Sequence, residues 1–189
     1  MTERPVRLAV LLSGSGTTLQ NFLDRIADGR LAARVVVVIA SRGDAGGLAR
    51  ARQAGIPAVA VPRKEFPDVD RFNDALHAEL LRHEFDLIVL AGFLSPFQLR
   101  NRYAGRVMNI HPALIPAFCG KGFYGEKVHR AVLESGVKVS GCTVHFADDQ
   151  YDHGPIIFQG PCPRAGAWPA RPPSCGLPES WRSSRRDNR

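Results

Sequence analysis

The chain has 189 residues, 44% of them hydrophobic, which suits one globular domain with a substantial core. No apolar run approaches the roughly 20 residues that span a membrane. The opening MTERPVRLAVLLSG passes from charged residues straight into a strand-like run and a glycine turn, so no signal peptide is expected. The net charge of +7 and pI near 9.7 invite a nucleic-acid reading. Residues 161–189, however, hold six Arg and no Lys against Glu179 and Asp187, a surplus of +4 that leaves +3 on residues 1–160. Neither nucleic acid nor membrane is an expected partner. Cys119, Cys142, Cys162 and Cys175 form no CxxC pair and no metal-ligand spacing, so a reducing cytoplasm and no metal are expected.

In chain order, VRLAVLLSG (6–14) reads as a buried strand ended by glycine. GTTLQNFLDRIADG (16–29) reads as a helix, with Leu19, Phe22, Leu23 and Ile26 at helical spacing and Gly29 as its stop. RVVVVIAS (34–41) is a second buried strand, AGGLARARQAG (45–55) a helix and PAVAVP (57–62) a short third strand. DVDRFNDALHAELLRHEF (68–85) is a long amphipathic helix with Val69, Phe72, Leu76 and Leu80 on one face. DLIVLAG (86–92) and RVMNIH (106–111) are strands, and GFYGEKVHRAVLESG (122–136) a helix. VKVSGCTVHFAD (137–148) and PIIFQG (155–160) read as an antiparallel ending.

Alternating strands and helices from residue 6 to about 111 predict an α/β fold with a doubly wound, mostly parallel sheet. Such sheets bind ligands at the carboxyl ends of their strands, where SGSG, AGF and NIH all fall. The composition shifts near residue 161. The last 29 residues hold six Pro, both Trp, two of the four Cys and no periodicity, so no regular helix or central strand is expected there. The organisation is therefore a domain over 1–160 and an atypical tail over 161–189, with disorder as one reading. Arg, Pro, Ala, Gly, Ser, Cys and Trp together are also what GC-rich codons give out of frame, which predicts a frameshift near residue 161. The coding DNA tests this: a shifted frame must restore an amphipathic ending.

Three segments carry candidate chemistry. In LLSGSGTTLQ, Gly14 and Gly16 let backbone approach a ligand, the following helix start offers free N–H groups to an anion, and Thr17 and Thr18 add hydroxyls. The segment matches neither GxGxxG nor a lysine-bearing phosphate loop; the plain alternative is a tight turn. In NIHP, Asn109 and His111 lie two apart in a strand and share a face, while Pro112 holds His111 extended. An imidazole shuttles protons and an amide can bond a developing oxyanion, a pairing suited to attack on a carbonyl; the alternative is a structural histidine at a strand end. HFADDQYDHGP (145–155) supplies Asp148, Asp149, Asp152 and His153. A carboxylate beside an imidazole orients it and favours its charged form, and Gly154-Pro155 suggests a fixed loop rather than a solvated one. No GxSxG elbow is present. Cys119 sits in a glycine loop, and a Cys–His pair is the weaker reading. His77, His83 and His129 read as surface or packing residues on helices, and His145 as a support for the site.

LLSGSGTTLQ, ARQAGIP, LAGFLSPF, YAGRVMNIHPALIP, KVHRAVLESG and GCTVHFADDQYDHGPIIFQ resemble the phosphoribosylglycinamide formyltransferase family over about residues 6–160. The resemblance implies a Rossmann-like formyltransferase fold and an enzyme of purine biosynthesis. Its reaction would move the formyl group of 10-formyltetrahydrofolate, a co-substrate, to the amine of glycinamide ribonucleotide, with no metal. It further implies that Gly16, Thr17 and Thr18 bind the acceptor's phosphate, with Gly92 and Pro112 flanking the ribonucleotide. Phe93, Leu94, Ser95 and Pro96 would line the pterin pocket, with Asn109 beside them and Arg71 as an approximate folate contact. Asn109, His111 and Asp152 would be catalytic: the first two stabilise the oxyanion, and Asp152 holds protonated His111 in place. The segment after AGF is shorter than the family's, and the family's further strand, long helix and acidic residue have no counterpart in 161–189. Reduced activity is the corresponding expectation. A monomer or homodimer is expected. A formyltetrahydrofolate deformylase, using water as acceptor, would ordinarily add an N-terminal regulatory domain. A methionyl-tRNA formyltransferase would add a C-terminal RNA-binding domain. A catalytically impaired nucleotide- or folate-binding domain is the remaining alternative.

Overall fold

The computed structural model describes residues 4–163. Its elements are β1 Val6–Leu12, α1 Thr17–Ala27, β2 Ala33–Ala40, α2 Gly46–Gln53, β3 Ala58–Ala60, a single 3-10 turn Arg63–Glu65, α3 Val69–Leu80, β4 Leu87–Leu90, β5 Val107–His111, α4 Glu126–Ser135, β6 Val139–Phe146 and β7 Ile156–Pro163. The seven strands form one sheet in the order β3-β2-β1-β4-β5-β6-β7. The pairs among the first five are parallel, and β6 and β7 pair antiparallel.

The centre of the sheet is buried on both faces, and β1 shows why its sequence lacks polar alternation. Leu8, Val10 and Leu12 point into one cluster, packed with Leu19 of α1 and Leu48 and Ala51 of α2. Ala9 and Leu11 point into the other, with Phe72, Leu76 and Leu80 of α3. Each fully buried Leu side chain contributes roughly 1.5–3 kcal/mol. Both faces must therefore be apolar, as an all-parallel layer requires.

Strand order reverses around β1. The chain steps outward through β2 and β3, then returns to pair β4 with the other side of β1. A crevice opens at such a switch point, where the loops after β1 and β4 diverge. Two bonds join the strand ends there: Ala91 N donates to Leu11 O (2.8 Å) and Ser13 N to Gly92 O (3.0 Å).

Two expected helices are shorter than their periodicity suggests. The helix expected over 122–136 begins only at Glu126, because Gly122 (φ 97°) and Gly125 (φ 52°) take left-handed conformations that a helix does not continue through. α3 starts on its Asp68 cap, which accepts from Arg71 N at 2.7 Å. It ends at Leu80 rather than 85, where the bonds tighten to His83 N→Leu80 O and Arg82 N→Glu79 O. β7 runs to Pro163, three residues beyond the expected strand 155–160, so Pro161 and Pro163 sit in a strand. β7 is the outermost strand of the sheet order, where a missing N–H is tolerated. The rest of the expected tail, from residue 164, lies outside the described residues, as does the proposed effect of the frameshift.

Candidate active site

Beyond the carboxyl ends of β1, β4 and β5 lies a cleft of about 1080 Å³. Thr17 and Thr18 enter it from the start of α1. That helix has Gly16 as N-cap, no side-chain cap and no acidic residue in its first turn, so its leading N–H groups are open to an anion. Gly16 does not itself line the cleft. It adopts φ 74°, and a Cβ there would fall 2.5 Å from Gly47 Cα, so only glycine allows α2 to press against this turn.

Gly92, Phe93, Leu94, Ser95 and Pro96 form another wall. The segment belongs to no strand or helix, and beyond the Ser13–Gly92 backbone bond it is held by side chains. Leu94 N donates to the buried Ser13 hydroxyl (2.8 Å), which bonds Ser41 at 2.6 Å. Asn109, His111 and Pro112 face the cleft from β5 and the turn after it. Arg71 does not join them: its side chain is largely exposed and pairs with Asp68 at 3.9 Å. Its neighbour Val69 and the more distant Arg100 reach the cleft instead. Arg71 lies two residues after Val69, roughly 200° around α3 at about 100° per residue, and so on the side turned away from the site.

Asp152 comes from the loop joining β6 to β7 and is turned inward by a left-handed backbone (φ 55°), a conformation Asp tolerates better than most residues. The loop is pinned at Gly154, whose place against the Phe146 carbonyl leaves no room for a Cβ. Phe146 N donates to Pro155 O at 2.9 Å. Asp152 Oδ2 lies 3.4 Å from His111 Nδ1 and accepts from Gly120 N at 2.9 Å. Its Oδ1 accepts from Asn109 Nδ2 at 3.3 Å. His111 Nε2 faces the Phe118 carbonyl at 2.9 Å, so both ring nitrogens have acceptors before them.

The other polar groups of the loop do different work. Asp148 pairs with His153 (2.8 Å), and Asp149 accepts from Leu99 N (2.9 Å) at the far end of the cleft wall.

His145 stands opposite Asn109 across the β5–β6 pair. It donates through Nδ1 to Phe146 O (2.9 Å), and its Nε2 accepts from Asn109 Nδ2 (3.0 Å) in the neutral form. Burial opposes the charged form of His145, but bonds to Asp152 and the Phe146 carbonyl outweigh it and raise its pKa above the usual histidine value. Burial likewise opposes the charge of Asp152, yet the His145 bond, the Gly120 N–H and nearby His111 lower its pKa below the usual carboxylate range. The cluster thus favours a carboxylate at its centre.

Thr143, fully buried and paired with His111 across the strands, accepts from Ile115 N (3.0 Å) and donates to Ala113 O (2.7 Å), fixing the turn after His111. Cys119 donates to Pro116 O at 3.2 Å. Burial, then the Asp152 charge, push its thiol up, so it stays neutral and forms no pair with His111. His129 of α4, expected as a surface or packing residue, lines the cleft beside Lys121 and Lys127. Burial lowers its pKa. Among the described residues, no group of three or more His, Cys, Asp or Glu is placed to hold a metal ion. No described helix is long and apolar enough to cross a membrane.

Residues 6–164 match the formyl transferase family. The chain belongs to that family. The phosphoribosylglycinamide formyltransferase of Haemophilus influenzae is 39% identical over 160 residues, which are 83% of this chain and 73% of that protein. The chloroplastic phosphoribosylglycinamide formyltransferase of Arabidopsis thaliana is 40% identical over 159 residues, 82% of this chain and 54% of that protein. The chain spans about half the length of the plant relatives it matches. The crystal structure of glycinamide ribonucleotide transformylase 1 from Symbiobacterium toebii superposes with a TM-score of 0.78 at 43% identity, covering 86% of this chain and 75% of that one. The family's fold is thus the expected one: a seven-stranded, mostly parallel α/β sheet.

Proposed function

We propose that this formyl transferase moves the formyl group of 10-formyltetrahydrofolate to the amine of glycinamide ribonucleotide, a step of purine synthesis. The observation that carries the reading is the convergence of Asn109, His111 and Asp152 in one cleft with an uncapped helix start. That arrangement supplies polarising groups for a carbonyl and an anion cradle for the acceptor's phosphate. The names of the relatives support formyl transfer to the same acceptor.

In the proposed reaction, the phosphate docks at Thr17 and Thr18, with Gly16 shaping the turn and Gly92 and Pro112 flanking the ribonucleotide. The pterin lies along Phe93, Leu94, Ser95 and Pro96. The formyl oxygen takes the place of the Phe118 carbonyl at His111 Nε2 and accepts a second bond from the Asn109 amide. The acceptor amine attacks the formyl carbon, and the two donors stabilise the tetrahedral oxyanion. Collapse breaks the bond to the folate nitrogen. The proton shed by the amine returns to that nitrogen, with His111 and Asp152 as the relay. Action in the cytoplasm, as a monomer or homodimer, belongs to the same proposal.

The test is formyl transfer by the purified full chain, with and without glycinamide ribonucleotide. The expected result is acceptor-dependent product, with kcat lowered at least about a hundredfold in His111→Ala. Folate release that ignores the acceptor, or turnover that survives in the variant, would overturn the reading.

A further inference from the structure

α3 carries a polar residue on its buried face. Asn73 is fully buried, one turn after Val69 and one before His77. A buried carboxamide costs stability unless its bonds are made. Among the described residues the bonds of the Asn73 side chain all reach backbone: Oδ1 accepts from Gln98 N at 2.8 Å, and Nδ2 donates to Pro96 O at 3.2 Å and Val69 O at 2.9 Å. His77, also buried, donates through Nε2 to Gln98 O at 2.9 Å. Both backbone groups of Gln98 are therefore met by α3 side chains, as a neighbouring strand would meet them. The same segment turns Phe93, Pro96 and Gln98 toward the cleft. A chain with no ladder of its own takes its shape from these bonds.

We propose that Asn73 is a positioning residue for the donor pocket: its carboxamide holds residues 96–98 in the shape that forms the pterin wall. The inference rests on the reading that this wall receives the folate. It gives Asn73 a role in donor affinity rather than in the chemistry, since the side chain touches neither His111 nor Asp152. A residue that merely stabilised the fold would affect donor and acceptor alike.

The test compares Asn73→Leu, which keeps the branched shape with a somewhat larger volume and removes both polar functions, with Asn73→Asp, which keeps the acceptor for Gln98 N. For Asn73→Leu, KM for 10-formyltetrahydrofolate and Kd for tetrahydrofolate are expected to rise about tenfold, the scale of a lost buried hydrogen bond. KM for glycinamide ribonucleotide and kcat should stay within about twofold. Asn73→Asp should fall between wild type and Asn73→Leu. An unchanged donor KM, or equal rises in both KM values, overturns the inference. Should Asn73→Leu fail to fold, Asn73→Asp decides alone: a donor-only rise supports it, and any other pattern overturns it. Wild-type chain that binds tetrahydrofolate without turnover defeats the activity reading only, and the inference is then judged on Kd. Wild-type chain that binds no tetrahydrofolate overturns both.

Discussion

His111 Nδ1 stands 3.4 Å from Asp152 Oδ2, with the imidazole 3% and the carboxylate 10% exposed. The two arrive from β5 and from the β6–β7 loop, and Gly120 N ties the same carboxylate oxygen to the glycine loop. One carboxylate thus fixes an imidazole, an amide and a loop together. Asp152→Asn keeps the shape and removes the charge. It is expected to lower kcat by about 10²–10⁴-fold, the range for a lost acid–base partner. Steady-state kinetics beside a melting curve measures this. A near-normal kcat in a folded variant sinks the assignment.

The same cluster sets a pH window for stability. The pKa of Asp152 is depressed in the folded chain, so its contribution is present above the unfolded carboxylate value of about 3.9 and is lost as pH falls through the folded value. The pKa of His145 is raised, so its contribution is complete below about 6.5 and is lost as pH rises through the folded value. Together they stabilise most between those limits. His145→Gln should therefore lower Tm more at pH 5.5 than at pH 8.5. A Tm gap that is flat or widens with pH contradicts the assigned charges.

Much of this was legible in the residues, and the exceptions have physical causes. β1 and β2 read as doubly buried strands because nothing polar interrupts them after Arg7 and Arg34. Asn109 and His111 share a face because strand periodicity is two. The loop 147–155 offers Asp148, Asp149 and Asp152, which composition and spacing do not rank; the family resemblance alone points to Asp152. The ranking comes from the left-handed backbone at Asp152 and the tight approach at Gly154, both tertiary. The start of α4 was misplaced because an apolar pattern does not report φ at Gly122 and Gly125. Asn73 and His77, one turn apart beside the apolar stripe of α3, are a visible signal of a buried polar device, which the period of the apolar positions does not report.

Gly16 and Gly14 separate two uses of glycine within one turn. At Gly16 the left-handed φ and the Gly47 backbone 2.5 Å from any Cβ oppose a side chain together. At Gly14 nothing lies within 4 Å and no positive φ occurs. Gly16→Ala is expected to cost about 2–3 kcal/mol, combining left-handed strain with the clash. That is a Tm loss of roughly 4–12 °C for a chain of this size. The acceptor KM should rise with it, because the displaced turn carries Thr17 and Thr18. Gly14→Ala should leave Tm nearly unchanged. Thermal melts of the two variants check the contrast, and equal losses would refute it.

Phe72 links the core to the proposed donor wall. It is fully buried on α3, meets Phe66 edge-on at 5.9 Å between centroids, and stacks on Phe93 at 6.4 Å with planes 11° apart. Phe93 faces the cleft. Phe72→Ala removes a full ring from a packed site and is expected to cost about 3–5 kcal/mol. Phe72→Leu fills more of the space and should cost less, yet it also removes the flat surface that supports Phe93. Phe72→Leu should therefore keep most of the stability while weakening tetrahydrofolate binding, and Phe72→Ala should lose both. Denaturant titration and folate binding on the pair measure the two effects separately. Unweakened folate binding by Phe72→Leu would show that Phe93 holds its place without the ring beneath it, and would confine Phe72 to the core.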